Sequence, residues 1–538
     1  MKNILKLGFV AISATALLSS CIEETFPTST ATKEQVAANP SALSAMVNGM
    51  AAYVNNVGTM DSDVSNHWDY GYPSIGMIRD LMCEDMSTAA SGYEHYTAWI
   101  TNRGQSDSHL YPQFLWNYYT QFLYTANSVI AAVDENSASK TQLQYLAMAY
   151  CYRAMINLDM GRMFEFKRNS FTSAEELVGK TIPIIRENLT EQEARNNPRV
   201  DKAALLEFIH GDLVKAIRFF GGESDDKADR FSRMSMAEPD LSVAYGLQAR
   251  AYLWEGNYEQ AKVAAQNALD AGNYSPLTEA QWTDTSTGFN DASSQKSWMW
   301  ASLLVKEDDA VKTSIVNFAS WICSETAFGY ASAGPFRLAD VRFYNRIPNS
   351  DFRKKSWKAP EGVSINVPMV AATATYKGAE TVPEYGCVKF RPGSGNPDDS
   401  DPGAVCDYPL MRMEEMMFII AECDARQGNS SSLVNFMKSY RNPDYVCTAS
   451  GDALVSEVIF QKRVEFWGEG IIFFDYKRLD MPVNRAYADT NHIPDSRFDT
   501  KGSLAPWMNM CIVRTEHNNN NAVVSNPDPS DLVPDEME

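Results

Sequence analysis

Apolar residues recur at helical spacing through much of this 538-residue chain, and the places where that rhythm stops divide it. Phe114 to Val133 and Lys140 to Met163 predict two long helices joined by the polar, small-residue stretch Asp134 to Ser139. Asp201 to Phe220 predicts another, with Asp201 as its cap and Gly221-Gly222 as its stop. Leu241 to Trp254 and Tyr258 to Ala271 predict a hairpin turning at Gly256-Asn257. Two later hairpins are predicted, Leu410 to Gln427 with Ser432 to Tyr440, and Ala453 to Trp467 with Gly470 to Leu479.

Between Ser275 and Pro409 the rhythm breaks into Gly, Pro, Ser and Asp. Short alternating runs such as Trp298-Met299-Trp300-Ala301-Ser302-Leu303 predict a loop-rich lobe with a few strands, and put Trp298 and Trp300 on one buried face. Gly58 to Pro112 is irregular too, and rich in aromatics. From His517 the chain is polar, Asn-rich and acidic, which predicts an extended or disordered tail.

The hairpin at 241–271 carries a repeat signature. Ala249, Tyr252, Gly256, Tyr258, Ala261, Ala268 and Leu269 match the spacing of a tetratricopeptide repeat, where small residues let two antiparallel helices approach. Ala421 and Gly428 repeat the small-residue and turn positions of that template, with Asp424 where Tyr is expected. Such repeats leave apolar faces open and must stack into one core, so they predict a scaffold.

At the N-terminus, Lys2 and Lys6 precede the apolar run Leu7 to Leu18, and small residues follow. That order is a secretory signal over residues 1–20, too short to cross a bilayer core, which needs about 20 apolar residues. Leu18-Ser19-Ser20-Cys21 resembles a bacterial lipobox, which implies a lipidated Cys21. Several acyl chains, at about 0.8 kcal/mol per buried methylene, would hold the protein at a membrane. Glu23 and Glu24 resemble the surface-export signal of some lipoproteins and imply an outward-facing protein.

Charge and cysteines then exclude classes. The net charge is −21, and two more negative once Lys2 and Lys6 leave with the signal, so a phosphate backbone is repelled and no nucleic acid is expected. Eight cysteines follow Cys21, at 83, 151, 323, 387, 406, 423, 447 and 511, with no Cys-x-x-Cys pair, which excludes zinc ribbons. Cys151 and Cys423 fall in helical patterns and are expected to be buried free thiols. The six histidines never form His-Glu-x-x-His, and neither a Gly-x-Ser-x-Gly elbow nor a phosphate-binding Gly-Lys-Thr loop occurs, so no catalytic residue and no cofactor is assigned. Asp398-Asp399-Ser400-Asp401 could attract calcium, though a solvated run is the simpler reading, and no metal site is assigned. Glu465 and Glu469 are like charges one turn apart that need cations, for which Arg412, Arg463 and Arg478 are the candidates.

Taken in order, these segments resemble the SusD/RagB nutrient-binding outer-membrane lipoproteins. The likeness runs through Glu24-Thr25-Phe26-Pro27-Thr28 after Cys21, then Trp116, Tyr119 and Asn127, then the 241–271 hairpin. It continues through Met411-Arg412-Met413-Glu414-Glu415-Met416 with Ala421-Glu422, and ends on Arg463, Glu465, Glu469-Gly470, Phe474-Asp475 and Arg478. Gln461 and Ile471 depart from the pattern, standing where glutamate and arginine are usual.

The resemblance implies a mostly α fold, with four tetratricopeptide-like hairpins scaffolding an irregular lobe with a few short strands. Residues 21–538 would be one domain, with the scaffold mainly at 113–272 and 409–480, the lobe mainly at 58–112 and 275–408, and the tail at 517–538. It also implies docking over a SusC-like TonB-dependent transporter, to which captured oligosaccharide is delivered.

Sugar binding asks for flat aromatic faces beside fixed polar groups, in irregular exposed segments. His67, Trp68, Asp69 and Tyr70, then Tyr93, Tyr96, Trp99, Asn102 and Arg103, and Trp321 to Tyr330, have that mixture. Trp99 and Trp321 are the foremost stacking candidates, whereas Trp68 and Tyr70 could equally pack the lobe on the helices. Trp116, Trp254 and Trp467 lie in helical patterns and read as core. Two alternatives stand beside glycan capture: peptide capture by the same fold, as the RagB branch suggests, and a surface glycoside hydrolase, whose acid pair need not be adjacent in sequence.

Overall fold

Helices pack one on the next in chain order. In a computed structural model of the chain, which describes residues 40–60, 66–224 and 226–536, Leu110–Ala132 lies on Lys140–Phe164, which packs on Lys202–Phe219, then Leu241–Glu255. Tyr258–Asp270 closes a hairpin on Leu241–Glu255 and meets Met413–Arg426, on which Ser431–Tyr440 and Asp452–Glu465 pack. The signal segment, Cys21 and Glu24 to Thr28 lie outside the described residues.

Local chemistry sets the helix ends. Ser139 and Gln142 form a reciprocal capping box at the start of Lys140–Phe164. Gly256, at φ 89, ends Leu241–Glu255 in the left-handed region, and the Asn257 side chain accepts from Gln260 N to start the next helix. Ala249, Ala261 and Ala268 are fully buried between these two helices, as the repeat spacing predicts. Asp201 sits at the expected cap position but makes no cap bond; its carboxylate lies 2.8 Å from Lys180 Nζ.

Two sequence expectations change. The segment predicted helical from Leu410 begins as strand β4 (Tyr408–Arg412), antiparallel to β2 (Trp298–Ser302), and its helix starts only at Met413. Both strands are buried along their whole length, so neither shows the alternation of a half-exposed strand. The tail is extended but held in place: Asn526 bonds Arg199, the Phe164 carbonyl and the Met510 carbonyl, while Val523 and Val533 are buried. All eight cysteines after Cys21 are unpaired, Cys151 and Cys423 among the buried ones. Among the described residues no helix is long and apolar enough to cross a membrane.

A buried ion network joins the late helices to the lobe. Glu465 accepts from Arg441 (2.8 Å to each oxygen), Arg412 and Arg353 (3.2 Å each), and Glu469 accepts from Arg412 and Lys389. Of the three cations expected beside these glutamates only Arg412 is there. Arg463 reaches Glu84 and Asp85, and Arg478 reaches Glu422 and Asp475. Arg441, 24 residues before Glu465, replaces them together with Arg353 and Lys389, which come from the irregular lobe. Gln461 still accepts from Arg353 where glutamate was expected. Gly470, at φ 70, lies against Gly76 so closely that a Cβ would stand 2.3 Å from the Gly76 Cα.

Candidate functional site

Two loops far apart in sequence are brought together by a short ladder. β1 (Met86–Thr88) pairs antiparallel with β3 (Arg337–Ala339), with Met86 opposite Ala339 and Thr88 opposite Arg337, and Ala89 N extends the pairing to the Phe336 carbonyl. The chain leaving β1 and the chain entering β3 therefore run side by side. Buried Arg337 locks them, donating to both oxygens of Glu94 (2.5 and 3.0 Å) and to Thr88 Oγ1, while its guanidinium lies 5.3 Å from the ring centres of Tyr96 and Trp321.

On this frame sits an aromatic cluster. The Tyr330 ring lies flat on Trp321, centroids 4.1 Å apart and planes at 10°. That contact depends on Gly329 (φ 77), where a Cβ would stand 2.6 Å from Ser320 Oγ, and on Ser320 Oγ accepting from Tyr330 N. His67 bonds the Tyr330 hydroxyl and stacks on His95 with centroids 4.5 Å apart; His95 in turn meets the edges of Tyr330 and Trp321. Desolvation among these rings, and then the His67 imidazole, push the His95 pKa down against the pull of Glu94. Tyr93, two residues before His95 in the chain, is 60% exposed, and His95 is exposed as well.

The foremost stacking candidates are thereby corrected. Trp99 is 2% exposed, edge-on to Tyr111 and Trp68, and Trp321 is fully buried, with its indole N–H on the His67 carbonyl. Neither presents a face to solvent; Trp321 instead backs Tyr330. Trp68, Tyr70 and Tyr96 are core as well, with Tyr96 donating to the Tyr70 hydroxyl at 2.7 Å. Asp69 is buried and accepts from Met60 N, and buried Asn102 donates to the Pro529 carbonyl. Arg103, 54% exposed, lies 3.8 Å from Asp495 and 3.6 Å from Asp531 in the region where the tail docks, rather than at the aromatic cluster. Of the residues singled out from sequence, His67, Tyr330 and its support Trp321 meet at one face. His95, Glu94 and Arg337 complete that face; Glu94 and Arg337 are far apart in sequence, which leaves no local signal.

Beside the cluster, across the one-turn helix Gly329–Ala333, opens a groove of about 490 Å³. It is lined by Ser324, Thr326, Ala327, Ser332, Phe336, Thr375, Tyr376, Lys377 and Thr381. The acidic run Asp398 to Asp401 supports its wall: Asp398 accepts from Thr373 Oγ1 and Tyr376 N, and Asp399 caps the turn that follows. Asp398 and Asp399 are thus engaged by the protein itself, and among the described residues no three metal-ligating side chains gather at one point.

The site is thus a loop-built face of aromatics beside a hydroxyl-lined groove, carried on a helical scaffold. The sequence profile of the SusD family matches residues 252–528, more than half of the chain, and the chain belongs to that family. It is similar in fold to a SusD-like carbohydrate-binding protein from Bacteroides vulgatus, with a TM-score of 0.68 at 19% identity over 90% of this chain and 97% of that one. A SusD-like protein from Bacteroides fragilis gives 0.65 at 13% identity over 95% and 100% of the two chains. A laminarin-binding SusD-like protein gives 0.61 at 15% identity over 91% and 99%. At these identities the likeness is one of fold. Among curated proteins none matches the chain.

Proposed function

We propose that this chain is a cell-surface glycan-binding lipoprotein that captures oligosaccharide and delivers it to a SusC-like TonB-dependent transporter in the outer membrane. One observation carries the ligand half of the reading: the exposed His95 ring, stacked on half-buried His67 and edge-on to Tyr330, lies on one side of the Gly329–Ala333 turn and a hydroxyl-lined groove on the other. Flat rings meet the C–H face of a pyranose, and neighbouring hydroxyls bond its polar rim. Family membership supports the same reading, as do fold neighbours described as carbohydrate-binding and laminarin-binding. The lipid anchor rests on the signal and lipobox ending at Cys21. The role is capture without catalysis: Glu94, the acid within this face, is held by Arg337 rather than offered to a glycosidic bond.

A soluble form beginning after Cys21, applied to a glycan array and then titrated by calorimetry, tests this. Binding that weakens in Tyr93→Ala and His95→Ala supports it. Silence across the array overturns it, and heat from peptide pools in place of glycans would assign the fold to peptide capture.

A further inference from the structure

Helices of the scaffold leave a small cavity where they meet. Four cations line it: Arg162 from Lys140–Phe164, Arg250 from Leu241–Glu255, Lys462 from Asp452–Glu465 and Arg478 from Ile472–Arg478. Only two carboxylates, Glu415 and Asp475, stand beside them, and all six charged side chains are at least nine-tenths buried. Leu253, Trp254 and Phe474 supply apolar wall, so little water screens the charges. In a chain of net charge −21, a buried surplus of cations is the reverse of what composition predicts.

The ion pairs around the cavity do not balance. Asp159 serves both Arg79 (3.1 Å) and Arg162 (2.6 Å), Asp475 serves both Lys462 and Arg478 (2.8 Å each), and Glu415 serves Arg250 (2.6 Å). Glu422 is divided between Arg478 and the more exposed Arg426. Within this set Arg79, Arg162, Arg250, Lys462 and Arg478 outnumber Asp159, Glu415, Glu422 and Asp475 even before Arg426 is counted. Two further acids lie outward and have other partners: Glu165 bonds the Trp254 indole beside Lys202 and Lys477, and Asp80 accepts from Gly470 N near Arg79 and Lys389. Burial, and then the Arg250 charge, push the Arg162 pKa down against the pull of Asp159, as expected for cations that face one another.

Donors are left over as well. Arg162 engages the Leu158 carbonyl through Nε and Asp159 through Nη2, while Arg250 engages Glu415 and the Leu410 carbonyl through Nε and Nη2. That leaves Nη1 of each, and a guanidinium only donates, so the cavity calls for an acceptor. Arg79, behind Asp159, also keeps Nε and Nη2 without a hydrogen-bond partner. The room is about 20 Å³, enough for one sphere of about the size of water and too little for a polyatomic anion.

We infer that this cavity is a chloride site, in which one halide ion lies between Arg162 and Arg250, with Lys462 and Arg478 around it, and offsets the surplus charge where the helices join. The site is separate from the glycan face and stands whether or not that reading holds. Thermal melts at constant ionic strength, with gluconate exchanged stepwise for chloride or bromide, test it in wild type, Arg162→Gln and Arg168→Gln, the last at an exposed position outside the cavity. An ion that binds only the folded state raises Tm with the logarithm of its concentration, for a chain of this length by about 1–2 °C per tenfold above its dissociation constant. Wild type and Arg168→Gln show that rise relative to Arg162→Gln, which loses it, and wild-type crystals grown in bromide show an anomalous peak between Arg162 and Arg250. Melting temperatures that follow ionic strength alone, an Arg162→Gln protein that keeps the halide dependence, or a bromide crystal with only water in the cavity overturns the site. Should Arg162→Gln fail to fold, the wild-type bromide crystal decides.

Discussion

Glu465→Gln removes one charge from the centre of the buried network while keeping the side chain's volume. Its two carboxylate oxygens accept from Arg441, Arg412 and Arg353, all fully buried. An amide there turns an NH2 group toward guanidinium donors and leaves the surrounding arginines short of a counter-charge. Breaking a buried pair in this way costs about 3–5 kcal/mol, a large share of the roughly 5–15 kcal/mol that holds a folded protein together. With a urea slope of about 3 kcal/mol/M or more for a chain this long, the unfolding midpoint should fall by about 1 M. The pH dependence separates charge from shape. Burial alone would raise the Glu465 pKa, but Arg441, then Arg412 and Arg353, hold it well below the usual carboxylate range. A depressed carboxylate stabilises the fold above its unfolded pKa of about 4.3 and loses that contribution as pH falls toward its folded value. The gap between wild type and Glu465→Gln should therefore be full at pH 7 and shrink below about pH 4.3. An unmoved midpoint would refute the network's structural role; a gap equally wide at pH 3 and pH 7 would assign the loss to sterics.

Asp80, buried and accepting from Gly470 N, has its pKa pushed up by burial to about 7, so its ionisation opposes folding as pH rises from its ordinary 3.8 to about 7. Asp80→Asn, which cannot ionise, should gain on wild type across that interval in thermal melts and no further beyond it. Trp99→Ala should cost about 3–5 kcal/mol in chemical unfolding through the cavity it leaves, whereas exposed Tyr93→Ala should change stability by no more than about 0.5 kcal/mol while lowering glycan affinity in calorimetry. Gly329→Ala should weaken glycan binding, because the left-handed φ and the clash with Ser320 displace Tyr330 from Trp321. Cys21→Ala should move the protein from the membrane fraction to the soluble fraction on cell fractionation.

The helical part of this fold was legible because its signals are local. Apolar spacing, the Ser139 cap and the left-handed Gly256 each act within a turn or two, and the helices at 110–132, 140–164 and 241–270 follow. β4 was not legible, since a strand buried along its length carries the same apolar run as a buried helix, and only its partner Trp298–Ser302 distinguishes them. The ion network failed differently. Charge spacing announced that Glu465 and Glu469 need cations, yet Arg353 and Lys389 arrive from an irregular lobe whose path no local rule gives.

The binding face turns on the same limit. Sequence places Trp99, Tyr93 and His95 within a few residues of one another, and the broad apolar face of the indole makes Trp99 the foremost stacking candidate. In the folded chain that hydrophobicity works against the preference. A large apolar ring close to the Leu110–Ala132 helix gains more by burial against Tyr111 and Trp68 than by waiting for a sugar, so the ring left outside is the one with a polar tip. Trp321 obeys the same rule one layer down, buried whole and lending its flat face to Tyr330. Reading a carbohydrate face from sequence therefore means asking which aromatics the core will claim first, and that depends on pairings such as Thr88 with Arg337, across 249 positions of chain.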